Sequence, residues 1–180
     1  MRIITGSARG RRLFSPDGMD VRPTTDKVKE SLFNIIQFEL EGRRVLDLFA
    51  GSGQLGLEAL SRGAESAVFV DNSPASLAVV KKNIGLTGFQ EKAVAVAGDA
   101  FAFLSTTNQK FDLVFLDPPY DCKLVDQAAQ LLPRVLKETS VVIAESRFAE
   151  ELPQTIGELA AERVYKYSAI KLTVYRKPAS

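Results

Sequence analysis

Residues 45–60, VLDLFAGSGQLGLEAL, constrain the fold more than any other stretch of this chain. An apolar run, a glycine turn and a second apolar run at helical spacing read as strand, tight turn and helix. Gly51, Gly53 and Gly56 stand in the G-x-G-x-x-G spacing of a ligand-binding βα unit. A unit of this kind needs neighbours to cover its strand. From Val45 onward, short apolar runs alternate with longer amphipathic stretches, the pattern of helices crossing between parallel strands. Strands are expected at residues 44–49, 67–70, 93–97, 113–116 and 140–144.

The intervening helices have readable ends. Ser73 followed by Pro74 supplies an N-cap and a first-turn proline; Leu77, Val80 and Ile84 then share one face, and Gly88 can close the helix. Gly63 can end the helix that begins near Ser52. Residues 163–168 and 170–175 are two β-rich runs too close for a crossover helix, so an antiparallel hairpin is expected there. Ahead of the sheet, Thr24 or Thr25 can cap a helix carrying Val28, Leu32, Ile35 and Ile36 at helical spacing. A length of 180 residues leaves room for one core and no second large domain.

The glycine spacing alone is compatible with a dinucleotide or with S-adenosylmethionine, because Asp71, which could take ribose hydroxyls, follows Gly51 by 20 residues. Asp47 separates the two. A carboxylate at the strand end just before the loop repels a pyrophosphate seated at the helix N-terminus. It attracts the ammonium and sulfonium of S-adenosylmethionine. Farther along, Gly98-Asp99-Ala100 follows the third strand at its carboxyl end, where Asp99 can accept from an adenine amino group or cap the next helix.

The fourth strand, taken back to Phe111, runs into Asp117-Pro118-Pro119-Tyr120. The prolines stiffen the turn and lack N–H groups, leaving carbonyls as acceptors. An amino group has two N–H donors: Asp117 can accept one and the Pro118 carbonyl the other, aiming the nitrogen at a methyl donor. Tyr120 can stack on an extruded base, a contact worth roughly 1–3 kcal/mol. The chain has no histidine and one cysteine, Cys122, so a cysteine-rich zinc site and histidine base chemistry are excluded and no metal is expected. Attack by a Cys122 thiolate on a pyrimidine ring is disfavoured, since Asp121 precedes it and only Lys123 adjoins it as a basic group. A sulfonium methyl donor is already activated, so positioning suffices.

Charge adds a partner. Residues 1–14 carry Arg2, Arg9, Arg11 and Arg12 and no acid, a local +4 within a chain of net +1 that leaves −3 for the remainder. A basic arm on a mildly acidic body suits phosphate contacts. We therefore divide the chain into an N-terminal basic arm or hairpin, residues 1–21, and a catalytic domain, residues 22–180. The first residues lack the apolar core of a secretory signal, and no apolar run approaches the ~20 residues of a membrane span, so a cytoplasmic location is expected.

These motifs together, from RGRRL through RPTTDKVKESLFNII, DLFAGSGQLGLEAL, FVDNS, GDA and DPPY to the closing hairpin, resemble the bacterial family that methylates guanine N2 in 16S ribosomal RNA. The resemblance covers the whole chain. It implies a Rossmann-like class I methyltransferase: an α/β fold with a mostly parallel seven-stranded sheet, helices on both faces and a terminal antiparallel hairpin. It implies S-adenosylmethionine as cofactor, S-adenosylhomocysteine as product, and cofactor contacts at Asp47, Phe49, Ala50, Gly51, Gly53, Asp71, Asn72, Asp99 and Ala100. The target base is then held by residues Asp117, Pro118, Pro119 and Tyr120. RNA is contacted by Arg9, Arg11 and Arg12, with Arg22 and Thr24 bordering the site. The partner is ribosomal RNA or an assembling small subunit, met by a monomer. Three readings compete: adenine-N6 methylation of DNA, which uses the same tetrapeptide; nicotinamide-dependent oxidoreduction, which Asp47 and the tetrapeptide disfavour; and a non-catalytic RNA-binding domain, which would have no use for an intact cofactor loop. Guanine carries N1–H beside its amino group, so a carboxylate can accept from both; adenine presents an acceptor there.

Overall fold

The computed structural model describes residues 1–16, 25–119 and 122–180. Arg22, Thr24 and Tyr120, and the boundary between residues 21 and 22, lie outside them.

One mixed sheet organises the chain. Strands β1 (Arg44–Leu48), β2 (Ser66–Asp71), β3 (Ala93–Ala97), β4 (Phe111–Leu116) and β5 (Leu136–Arg147) are mutually parallel. They are followed by β6 (Thr155–Ile156), β7 (Leu159–Tyr167) and β8 (Ile170–Arg176), which pair antiparallel. The order is β3-β2-β1-β4-β5-β8-β7-β6, eight strands where seven were expected. The additional one, β6, is two residues long and pairs only at the edge of β7, too short to show any periodicity. Strand β5 also starts four residues before the expected Ser140; its first residues, LKET, are largely polar but pair with β4 through Leu136 and Phe111.

Helices cover both faces. Helices α1 (Asp26–Ile35), α2 (Gln54–Ser61) and α3 (Pro74–Thr87) precede the switch in strand order; α4 (Ala100–Thr106), α5 (Cys122–Leu131) and a 3-10 turn (Leu132–Val135) follow it. Burial follows the pleat of the sheet. Val45, Leu113, Phe115 and Ile143 join one apolar cluster with Leu32, Leu57 and Val80, while Leu46, Val114, Leu116 and Val142 join the other with Leu104 and Val125. The expected caps form: Thr25 Oγ1 accepts from Val28 N, Ser73 Oγ accepts from Ser76 N, and Gly88 closes α3 in the left-handed conformation. Helix α2 starts at Gln54 and closes at Arg62, one residue before Gly63. Gly56 has a packing reason: a Cβ there would lie 2.4 Å from the Phe69 ring of β2.

Within the basic N-terminus, residues 1–13 form a hairpin, with Arg2 and Arg12 in antiparallel bridge and Ile3 N donating to Arg11 O at 2.9 Å. It is stapled to the body. Glu58 of α2, fully buried, accepts from Ile4 N at 2.9 Å and Thr5 N at 3.0 Å, and Ser61 Oγ donates to Thr5 O at 2.6 Å. A Cβ at Gly6 would fall 1.8 Å from the Ser61 carbonyl oxygen, so the close approach requires glycine. Lys29 of α1, also fully buried, donates to the Arg2 carbonyl and stands 3.8 Å from Glu58, while Arg62 Nε donates to Glu58 at 2.9 Å. Burial lowers the Lys29 pKa from its ordinary range, and the Glu58 charge opposes that shift.

Candidate active site

The carboxyl ends of β1, β2, β3 and β4 converge on a cavity of about 380 Å³, where the strand order reverses and open α/β sheets place their ligands. Its walls include Asp47, Phe49, Ala50 and Gly51 from the end of β1, Asp71 and Asn72 from β2, Asp99 and Ala100 after β3, and Asp117, Pro118 and Pro119 after β4. Segments remote in sequence are thus brought to one site.

The turn after β1 is left-handed three times, at Phe49 (φ 64°), Gly51 (φ 61°) and Gly53 (φ 80°). The strand therefore stops at Leu48, one residue before the expected end, because Phe49 has left the extended region. Its ring meets Phe101 edge-on at 6.3 Å between centroids. Gly53 is absent from the cavity wall; it caps α2 and takes the conformation that turn demands.

Two acids organise this turn. Asp71 Oδ2 accepts from Gly51 N at 2.9 Å and Asp71 Oδ1 from Ser73 N at 2.9 Å. Asp47, only 2% exposed, accepts from Gly56 N at 3.0 Å. Burial pushes its pKa up to about 7; the Gly56 hydrogen bond opposes the shift and the Asp71 charge adds to it. The Gly56 N–H belongs to the first turn of α2, so Asp47 occupies a donor that a phosphate at this helix N-terminus would use.

Asp99 caps α4 by accepting from Ala102 N at 2.9 Å and is otherwise exposed to the cavity, so both expected uses of its carboxylate are geometrically compatible. Pro118 is buried and Pro119 exposed, with Asp117 half-buried between strand and turn. Among the described residues the wall carries four carboxylates, Asp47, Asp71, Asp99 and Asp117, and no lysine or arginine. That lining suits a ligand bearing positive charge, hydroxyls and amino groups.

Arg9, Arg11 and Arg12 are exposed on the hairpin and do not line the cavity. Sequence reasoning missed Gln54, Pro16 and Leu124 on the wall. Pro16 had no detectable signal, since it arrives from the segment beyond the hairpin. Among the described residues no group of three or more His, Cys, Asp or Glu could hold a metal ion, and no helix is long and apolar enough to cross a membrane.

The family model described as Conserved hypothetical protein 95 matches residues 1–176. Ribosomal RNA small subunit methyltransferase D of Escherichia coli (strain K12) is 34% identical over 181 residues, 99% of this chain and 91% of that protein. The solved structure of yhhF from Escherichia coli is similar at TM-score 0.88 and 35% identity, covering 100% of this chain and 99% of that one. An RNA methyltransferase from Salinibacter ruber, solved with S-adenosyl-L-homocysteine, shares the fold at TM-score 0.69 and 16% identity over 88% of this chain and 95% of that one. The architecture is the Rossmann-like class I methyltransferase fold. With a family model spanning residues 1–176 and a relative 34% identical over nearly its full length, this chain belongs to the Conserved hypothetical protein 95 family.

Proposed function

We propose that the protein transfers a methyl group from S-adenosylmethionine to the exocyclic N2 amino group of a guanine in 16S ribosomal RNA, in the cytoplasm. One observation carries the reading: a cavity whose charged side chains, among the described residues, are four carboxylates, opening at Asp117-Pro118-Pro119. A dinucleotide needs a free helix N-terminus or a cation for its phosphates, and here Asp47 already holds the Gly56 amide. The similarity to a small-subunit ribosomal RNA methyltransferase supplies the substrate class.

When bound, S-adenosylmethionine supplies an activated methyl group; the protein's part is binding and orientation. Asp71 and Asn72 would hold the ribose hydroxyls, Asp99 and Ala100 the adenine, and Asp47, Phe49, Ala50 and Gly51 the amino-acid end. Gly53 contributes by holding the turn. Asp117 accepts N–H bonds from guanine N2 and N1, the Pro118 carbonyl takes the second N2 hydrogen, and Asp117 can receive the proton that the alkylated nitrogen sheds. Pro119 stiffens the turn, and Tyr120, Arg22 and Thr24 complete the base site in this proposal. Arg9, Arg11 and Arg12 bind phosphates.

Incubating the protein with 16S ribosomal RNA and S-adenosylmethionine, then identifying the modified nucleoside by mass spectrometry, tests this directly. N2-methylguanosine supports it; N6-methyladenine in a parallel incubation with DNA, or no transfer either to the RNA or to assembling small subunits offered beside it, overturns it.

A further inference from the structure

Between the hairpin and the cavity runs a short strap, residues 13–16, anchored by the buried Leu13 and Pro16 and, between them, by one buried polar side chain. Asn83 of α3 is fully buried and uses both ends of its amide on this strap and the glycine turn. Its Oδ1 accepts from Phe14 N at 2.8 Å, while its Nδ2 donates to Phe14 O at 3.0 Å and to Ser52 O at 2.9 Å. Both backbone polar groups of Phe14 are thereby satisfied by one side chain. Yet the side chain so positioned is not core: Phe14 is 44% exposed. Lys82, one residue before the clamp, sets its ammonium 3.6 Å from the centre of the Phe14 ring. Two residues upstream stands exposed Arg12, and two downstream stands Pro16, on the cavity wall.

We infer that Phe14 and Lys82 form a stacking platform for a single-stranded nucleotide of the RNA substrate, next to the one held in the cavity; this rests on the methyl-transfer reading above. A half-exposed aromatic ring on a fixed backbone, with a cation over one face and standing between the arginines and the cavity, has the elements that single-strand binders use to carry successive bases. An extruded target nucleotide also leaves a neighbouring base unstacked, and an aromatic face offers that base a replacement partner.

The test uses the full chain and a fluorescein-labelled single-stranded oligoribonucleotide of about a dozen nucleotides, with binding followed by anisotropy across a salt series. Phe14→Ala should weaken binding roughly 5- to 100-fold with an unchanged salt slope, and Phe14→Trp should restore it, since stacking is not ionic. Lys82→Ala should lower the slope by about 0.7, the loss of one phosphate contact. Affinity for S-adenosylhomocysteine should stay that of the parent in both. A Phe14→Ala protein that binds the oligonucleotide like the parent overturns the platform alone. So does a loss that Phe14→Trp fails to recover, because it assigns Phe14 to holding the strap. A parent that binds no RNA overturns the platform and the substrate reading together.

Discussion

Asp71 Oδ2 accepts the backbone N–H of Gly51 at 2.9 Å, so the acid ending β2 and the glycine turning the chain after β1 form one hydrogen-bonded unit. The same carboxylate caps the approach to α3 through Ser73 N. Asp71→Ala should therefore do two things. It should weaken S-adenosylhomocysteine binding by about 1.5–3 kcal/mol through lost charge-assisted bonds to ribose, and lower fold stability by about 1–3 kcal/mol by leaving two amides without acceptors. Calorimetric titration and thermal denaturation of the same variant measure both; unchanged affinity would remove Asp71 from the cofactor site.

Asp47 links pH to stability in an unusual direction for a carboxylate. Its pKa is raised from 3.8 to about 7, so the native state retains a proton that the unfolded chain releases. Stability contributed by the neutral form is then complete below about pH 4 and is lost as pH rises toward 7. Asp47→Asn should be more stable than the parent at pH 8, by roughly 1–4 kcal/mol, with the margin vanishing near pH 4. The same variant should bind S-adenosylmethionine more weakly, because the ligand ammonium favours the ionised acid, and parental affinity should decline as pH falls below about 7. Denaturant melts and binding isotherms at several pH values check both; a pH-independent difference in stability would contradict the assignment.

Glu58 holds the basic hairpin by two consecutive amides, those of Ile4 and Thr5. Glu58→Gln, which keeps the shape but removes the charge facing Lys29 and Arg62, should cost about 2–4 kcal/mol. It should also expose residues 1–13 to limited proteolysis while α2 and the sheet persist. A variant as protease-resistant as the parent would show that the hairpin is held by its apolar contacts instead.

Much of this framework is legible in the sequence because its signals are local. The glycine turn, the Ser73-Pro74 start and Gly88 end of α3, and the two β-rich runs of the terminal hairpin need only their neighbours to be read. Asp47, Asp71, Asp99 and Asp117 could be grouped because parallel strands place their carboxyl ends on one edge. What stayed hidden is long-range. Lys29 and Glu58 lie within helices as charges that read as solvated, and their burial depends on a hairpin reaching back 54 residues from Glu58 to Ile4. Asn83, in the penultimate turn of α3, reads as a polar position and is the clamp for Phe14, 69 residues away. Phe49 reads as the end of a strand because nothing in its type announces a positive φ.

The arginines separate a phosphate-binding hairpin from a solubilising one. Replacing Arg9 and Arg11 together by Ala should weaken RNA binding and reduce its salt slope by roughly 0.7 per lost contact on single-stranded RNA, with cofactor binding intact. Matching affinities for parent and variant at every salt concentration would end the hairpin's assignment to RNA.

The most direct measurement compares parent and Asp117→Ala for single-turnover methyl transfer to 16S ribosomal RNA beside a titration with S-adenosylhomocysteine. Transfer should fall on the order of 100-fold or more with cofactor affinity nearly unchanged, because Asp117 is assigned to the target amine and the transition state is reached by positioning it. A variant that keeps most of its turnover, or one that loses cofactor affinity in proportion to transfer, would contradict that assignment.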